Sequence, residues 1–315
     1  MDKRESDIAT LAERLVDLVA EEVANALRLP RHGIHMQLLT PILGRPTRRF
    51  AALAARFDAD TMTLGTAAAA RQFVANFVEN TRTRGCERVP ETGPLIVASN
   101  HPGVTDMMAL AASLPRDDVK MIVSRAPLIE ALPHAGDPET GCFTFASLDP
   151  GDRTSALRQM IRRLRSGGAV VLFPSTTLTP DLARMGPDEA LPIAETFGSW
   201  SASIVLAMQR VPDCRLVPVM VSGVLAPRYA DNLLVRAFPV ARDKPWQRQR
   251  LAEVLQVISQ LRGDDTMGLA PCITFGTPVS ADDLGDIRDR QAALNAIVDG
   301  AVAVLKEHAA AFHGA

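Results

Sequence analysis

PLIVASNHPGVTDMMAL, residues 94–110, is the stretch whose reading decides the fold. Leu95–Ala98 is a short apolar run between turn formers, the length of a strand buried on both faces. It stops at Asn100-His101-Pro102-Gly103, and a second apolar run begins at Met107. Pro102 and Gly103 favour a tight turn between the two, while Thr105 or Asp106 supplies a polar start for a helix. Strand, turn and helix in that order place the His101 imidazole at a strand end with the Asp106 carboxylate five residues on. Histidine takes and returns a proton near neutral pH, and a carboxylate on its other ring nitrogen orients and polarises it. A merely structural hydrogen bond between the same two residues is the competing reading of the spacing.

Outward from this stretch, strand and helix patterns alternate. Val119–Val123, Cys142–Ala146, Ala169–Pro174, Leu216–Val221 and Cys272–Phe275 read as strands, and Leu233–Val240 is a further candidate. Helical spacing marks Met107–Ser113, Ser155–Arg165, Ser199–Gln209, Arg248–Leu261 and Asp286–His308. Thr81–Val89 reads as a connection and the last six residues as a frayed end. Towards the N-terminus the pattern is purely helical. Leu11, Leu15, Leu18, Val19, Val23 and Leu27 recur at helical period, Pro30 and Gly33 interrupt, and helical texture resumes over Thr47–Arg56 and Thr66–Val78. The expected fold class is α/β, a mixed sheet largely covered by helices, preceded by an N-terminal helical module. The expected division is residues 1–80 for that module and 81–315 for the α/β domain.

Composition narrows the function classes. The 315 residues can bury a large core, and 47% hydrophobic with 22% charged residues describes an ordered chain. A net charge of −2 gives no bulk electrostatic case for nucleic acid. Cys86, Cys142, Cys214 and Cys272 form no Cys-x-x-Cys pair, against a zinc knot or a disulfide framework. No apolar run reaches the roughly 18 residues of a membrane span, and MDKRESDIATLAERL lacks a signal-peptide core. The expected location is cytoplasmic, including the inner face of a membrane. Between Glu22 and Asp58 there is no acid, whereas Arg28, Arg31, Arg45, Arg48, Arg49 and Arg56 stand among Met36, Leu38, Leu39, Ile42 and Leu43. Two readings stay open for this interval: contact with an anionic membrane, or a helical cap packed on the larger domain.

Residues 100–106 resemble the Asn-His-x-x-x-x-Asp signature of the glycerolipid acyltransferase superfamily, and Gly85-x-x-x-x-Pro90-x-x-Gly93-Pro94 resembles its lead-in. Val170–Asp181 is similar to the family's Phe-Pro-Glu-Gly-Thr-Arg-Ser block, Gly141–Gln159 to its arginine-bearing block, Leu216–Val224 to its Val-Pro-Val strand, and Pro271–Val279 to its late Gly-x-Pro turn. The likeness thus runs in order from about Gly85 to Val279. It implies direct acyl transfer with no bound cofactor and no metal. His101 would be the general base and Asp106 its orienting carboxylate, moving an acyl group from acyl-CoA or acyl carrier protein to a hydroxyl-bearing lipid or small molecule. Asn100, Gly103, Arg153, Ser175, Thr176, Thr177 and Thr179 are the implied substrate-binding residues, with oxyanion donors among the amides near Gly103 or in the Phe173–Thr177 loop.

Departures from the pattern have chemical content. Ser175, Thr176 and Leu178 stand where the family has glutamate, glycine and arginine, so the bidentate phosphate donor is gone and hydroxyls remain. A non-phosphorylated or unusual hydroxyl acceptor is therefore favoured over glycerol phosphates. In Gly141–Gln159 the expected arginine falls near Leu148 or Asp149, and Arg153 follows. Three other readings compete: a non-catalytic acyl-lipid-binding homologue, a serine lipase or thioesterase using Ser175, and a metalloenzyme using His101, Asp106 and His134.

Overall fold

The computed structural model describes residues 3–28, 34–146, 149–175, 177–184, 197–239, 246–263 and 265–312. Helices α1 (Lys3–Ala26), α2 (Ile34–Leu64) and α3 (Thr66–Val74) come first. Leu15 and Val19 of α1 and Ala51, Ala55 and Phe57 of α2 are buried, as the helical spacing of the first module predicts. Phe50, Phe57, Phe73 and Phe77 join α2 to α3 and the turn after it, with ring centroids 5.3–6.2 Å apart. The interruption at Pro30 and Gly33 lies outside the described residues.

The sheet is seven-stranded: β1 (Arg82–Arg84), β2 (Leu95–Ser99), β3 (Val119–Ser124), β4 (Phe143–Ala146), β5 (Ala169–Leu172), β6 (Arg215–Ser222) and β7 (Cys272–Phe275). The spatial order is β1-β7-β6-β2-β5-β3-β4. β2 to β6 are mutually parallel, whereas β7 runs antiparallel to β6 and carries β1 parallel to itself. The sheet is therefore mixed. Every residue of β2 is buried because both faces are covered. Leu95 and Val97 pack with α1 to α3 and with the helix Asp106–Ser113, and Ile96 and Ala98 face the opposite core. That second core is supplied by α6 (Pro150–Arg165), α7 (Ser203–Arg210) and α11 (Arg290–Phe312), introduced here with the remaining helices α4 (Asp106–Ser113), α5 (Pro127–Glu130), α8 (Pro227–Ala230), α9 (Leu233–Ala237) and α10 (Trp246–Gly263).

Several expectations are corrected. Part of Thr81–Val89 is not a connection but the edge strand β1, whose three exposed polar residues give no hydropathy signal. Leu233–Val240 holds no strand among its described residues; Asn232 accepts from the Leu234 amide at 2.9 Å and starts the short helix α9. α6 begins five residues ahead of Ser155, because Asp149 caps the Gly151 amide at 2.8 Å and Pro150 fits the first turn. α11 continues to Phe312, whose ring packs 5.2 Å from His308, so residues 310–312 are not frayed.

A proline cannot donate to a ladder and so fits a sheet edge or a bulge; Pro218 lies on β6, an inner strand. Along β6 the Arg215 amide donates to Pro94 beside β2, and the Leu216 amide donates to Val279 on the β7 side. Position 218 therefore also faces β7. There the pairing slips by one residue, from Val219 opposite Phe275 to Leu216 opposite Val279. The missing proline donor falls within that bulge, and the Pro218 carbonyl still accepts from Gly276 at 2.8 Å.

Candidate active site

His101 follows β2 at the carboxyl end of the parallel strands, where open α/β sheets place their ligand crevices. The turn that sequence spacing predicts is closed by one carboxylate. Asp106 Oδ2 lies 2.8 Å from His101 Nδ1 and accepts from the Gly103 amide at 3.0 Å. Asp106 is completely buried, while the imidazole keeps about a quarter of its surface (26%). With an acceptor at Nδ1, the neutral ring carries its proton there and leaves Nε2 as a free base. Phe173, just past β5, lies flat against the imidazole with centroids 4.1 Å apart and planes 7° apart. Thr179 holds the main chain from the other side: its Oγ1 accepts from the His101 amide at 3.1 Å and its own amide donates to the His101 carbonyl at 2.8 Å.

Beside His101 opens a largely apolar cavity of about 890 Å³. Phe50, Phe57 and Phe73 line it from the first helices, Met160 from α6, and Val257 and Leu261 from α10. Arg153 and Arg250 also line it.

The proposed substrate residues divide by position. Arg153 is exposed on the first turn of α6 and lines the cavity. Asn100 is buried and pairs with β6, donating to the Val221 carbonyl at 2.9 Å and accepting from its amide at 2.7 Å. Gly103 packs tightly; a Cβ there would come 2.7 Å from Glu253 Oε1. Ser175 is buried and turns its hydroxyl onto the Thr177 carbonyl at 3.2 Å. Thr177 is exposed, and Thr176 lies outside the described residues. The Gly103 and Val104 amides are occupied by Asp106 and Glu253, which removes the amides expected there as oxyanion donors. His134 stands apart from His101 and pairs with Asp58 of α2 at 2.7 Å.

Residues 80–222 match the family model described as Acyltransferase. That stretch holds β2 to β6 and both His101 and Asp106. Among solved structures, the 1-acyl-sn-glycerophosphate (LPA) acyltransferase PlsC from Thermotoga maritima aligns with 94% of this chain and 96% of its own, at 13% identity and a TM-score of 0.40. No curated protein sequence matches. The matched stretch ends with β6, so α10 lies beyond it.

That helix carries the part of the site that the sequence reading missed. Gln249, Glu253, Gln256 and Gln260 share one face of α10 at helical spacing, turned onto the loops beyond the sheet. Gln249 donates to the carbonyls of Pro102 and Thr179. Glu253 Oε2 accepts from the Val104 amide at 3.2 Å. Gln256 accepts from Ala226 at 2.7 Å and donates to Val224 at 2.9 Å; Gln260 donates to Phe77 at 2.7 Å. Burial pushes the Glu253 carboxyl well above its ordinary range, reinforced by the charges of Asp106 and Asp181. Asp181 is missed likewise. It accepts from the amides of Ala183, Gly223, Val224 and Leu225 at 2.8–3.2 Å, and burial still raises its pKa.

Proposed function

We propose that this protein moves a fatty acyl group from acyl-CoA or acyl carrier protein to a hydroxyl-bearing lipid or small molecule. The observation that carries the reading is the His101–Asp106 pair beside the large apolar cavity. His101 Nε2 accepts the acceptor's hydroxyl proton as that oxygen attacks the thioester carbonyl carbon. The resulting oxyanion collapses, the carbon–sulfur bond breaks, and the imidazolium returns the proton to the leaving thiolate. Asp106 holds the Nδ1 proton throughout, and the Phe173 ring fixes the imidazole plane. The apolar cavity takes the acyl chain, and Arg153 meets polar or anionic groups of the substrates. With the Gly103 and Val104 amides occupied, the oxyanion donors in this reading come from the Phe173–Thr177 loop.

The same reading extends to partner and place. Arg45 and Arg48 are exposed on α2 while Leu43, Thr47 and Ala51 on the same helix are buried, so the helix packs inward and offers cations outward. An anionic membrane on the cytoplasmic side is the proposed surface. No described helix is long and apolar enough to cross a membrane.

Mass-spectrometric screening of purified protein with both donor types and a polar-lipid and metabolite extract tests the function. A new ester-linked acyl product with stoichiometric thiol release is the expected result. Tight acyl-chain binding without a product from any acceptor would replace this reading with that of a lipid-binding homologue.

A further inference from the structure

Glu253 is a buried acid in a row of carboxamides. Gln249, Gln256 and Gln260, at i−4, i+3 and i+7 on α10, each bind loop main chain with a neutral side chain. Glu253 makes the equivalent contact to Val104 at 3.2 Å and is only 3% exposed. Its other oxygen, Oε1, has no hydrogen-bond partner among the described residues, and neither does Asp106 Oδ1. A Gly103 Cβ would clash with Glu253 Oε1 at 2.7 Å, so the carboxyl group lies directly against the turn that carries the base.

The charges around it do not favour a carboxylate. Asp106 on α4 and Asp181 after β5 both oppose ionisation. Arg250 on the same helix favours it, but that side chain is 44% exposed and pairs with Glu22 of α1 at 3.3 Å. His101 already faces Asp106 at its Nδ1. A second buried carboxylate, held by a single amide, would be costly beside the first. A protonated carboxyl group has both an acceptor for the Val104 amide and a proton to offer, which is the inventory of a carboxamide.

We propose that Glu253 is a positioning residue for the His101–Asp106 pair, clamping the His101–Thr105 turn as an uncharged carboxyl group. Glu253 lines the same cavity as His101, and in this reading it acts through the turn rather than on a reacting atom. Its contribution is to hold the turn without placing a second buried carboxylate beside Asp106. The inference draws its functional meaning from the general-base reading of His101, but its main test needs no turnover.

That test is a histidine NMR titration of the full chain, with the His101 resonance assigned by its loss in H101A. If Glu253 is uncharged, Glu253→Gln leaves the His101 midpoint within about half a pH unit of the parent; removal of a nearby charge lowers it by about one unit or more. A fall of half a unit or more in Glu253→Gln overturns the proposal. Where turnover is measurable, Glu253→Leu leaves the Val104 amide without its acceptor and is expected to lower kcat at least about tenfold with KM within about twofold, and Gln at the same position restores most of the loss. A Leu variant as active as the parent, or a Gln variant as impaired as a folded Leu variant, contradicts the clamp. Failure of the parent to transfer acyl groups would instead contradict the acyl-transfer reading and leave the titration result standing.

Discussion

His101 is constrained by a different neighbour in each direction. Asp106 sets its tautomer, Phe173 its ring plane and Thr179 its main chain. Phe173→Ala removes the stack while leaving the Asp106 contact in place, and kcat is expected to fall about 10- to 100-fold because a small displacement of a positioned base is enough. Circular dichroism unchanged from the parent, with kinetics at saturating donor, checks it; a kcat within twofold would show that the ring has no orienting role. The neighbours differ in how well the sequence announces them. His101 and Asp106 were legible because both sit in one local turn, five residues apart. Thr179 was singled out as a substrate hydroxyl, yet it is buried against the His101 amide. That contact spans 78 residues, and no local pattern encodes it.

At the level of elements, α10 is the clearest case of a pattern with two readings. Its extent was legible from Arg248–Leu261 alone. Its orientation was not, because a hydropathy reading assigns Gln249, Glu253, Gln256 and Gln260 to solvent, whereas they point at loop main chains that need partners. Gln256→Leu leaves the Ala226 amide and the Val224 carbonyl unpaired in the interior, an expected loss of roughly 2–4 kcal/mol measurable by urea unfolding. A loss below about 0.5 kcal/mol would mean that water satisfies those groups instead. The sheet elements were read correctly where residues are apolar on both faces, as in β2 and β5. β1 escaped because an exposed polar edge strand is defined by its pairing with β7, not by its composition.

For the whole molecule, the cavity is the feature that joins the two parts of the chain. The expected division after residue 80 falls between α3 and β1, yet Phe50, Phe57 and Phe73 on one side and Met160 and Val257 on the other line the same space. Val257→Trp narrows that space from α10, and the expected outcome is a preference for donors shorter by several carbons; an unchanged chain-length profile would place the acyl chain elsewhere. Stability should carry the mark of the buried acid as well. Because the folded-state pKa of Glu253 lies above its unfolded value, the unfolded chain releases that proton first, and folding stability is lost as pH rises from the ordinary carboxylate range through the raised folded value. Glu253→Gln removes that loss, so its urea midpoint should exceed the parent's increasingly towards alkaline pH; parallel pH curves for the two proteins would contradict the assignment.

Whether His101 is the base for acyl transfer is decided by comparing His101→Ala with the parent in steady-state transfer from one thioester donor to one hydroxyl acceptor. A general base at His101 requires a kcat lower by about 10²- to 10⁴-fold, with KM for the donor little changed because the apolar cavity is intact. A variant that keeps a tenth or more of the parent's kcat would show that the acceptor's proton leaves by another route.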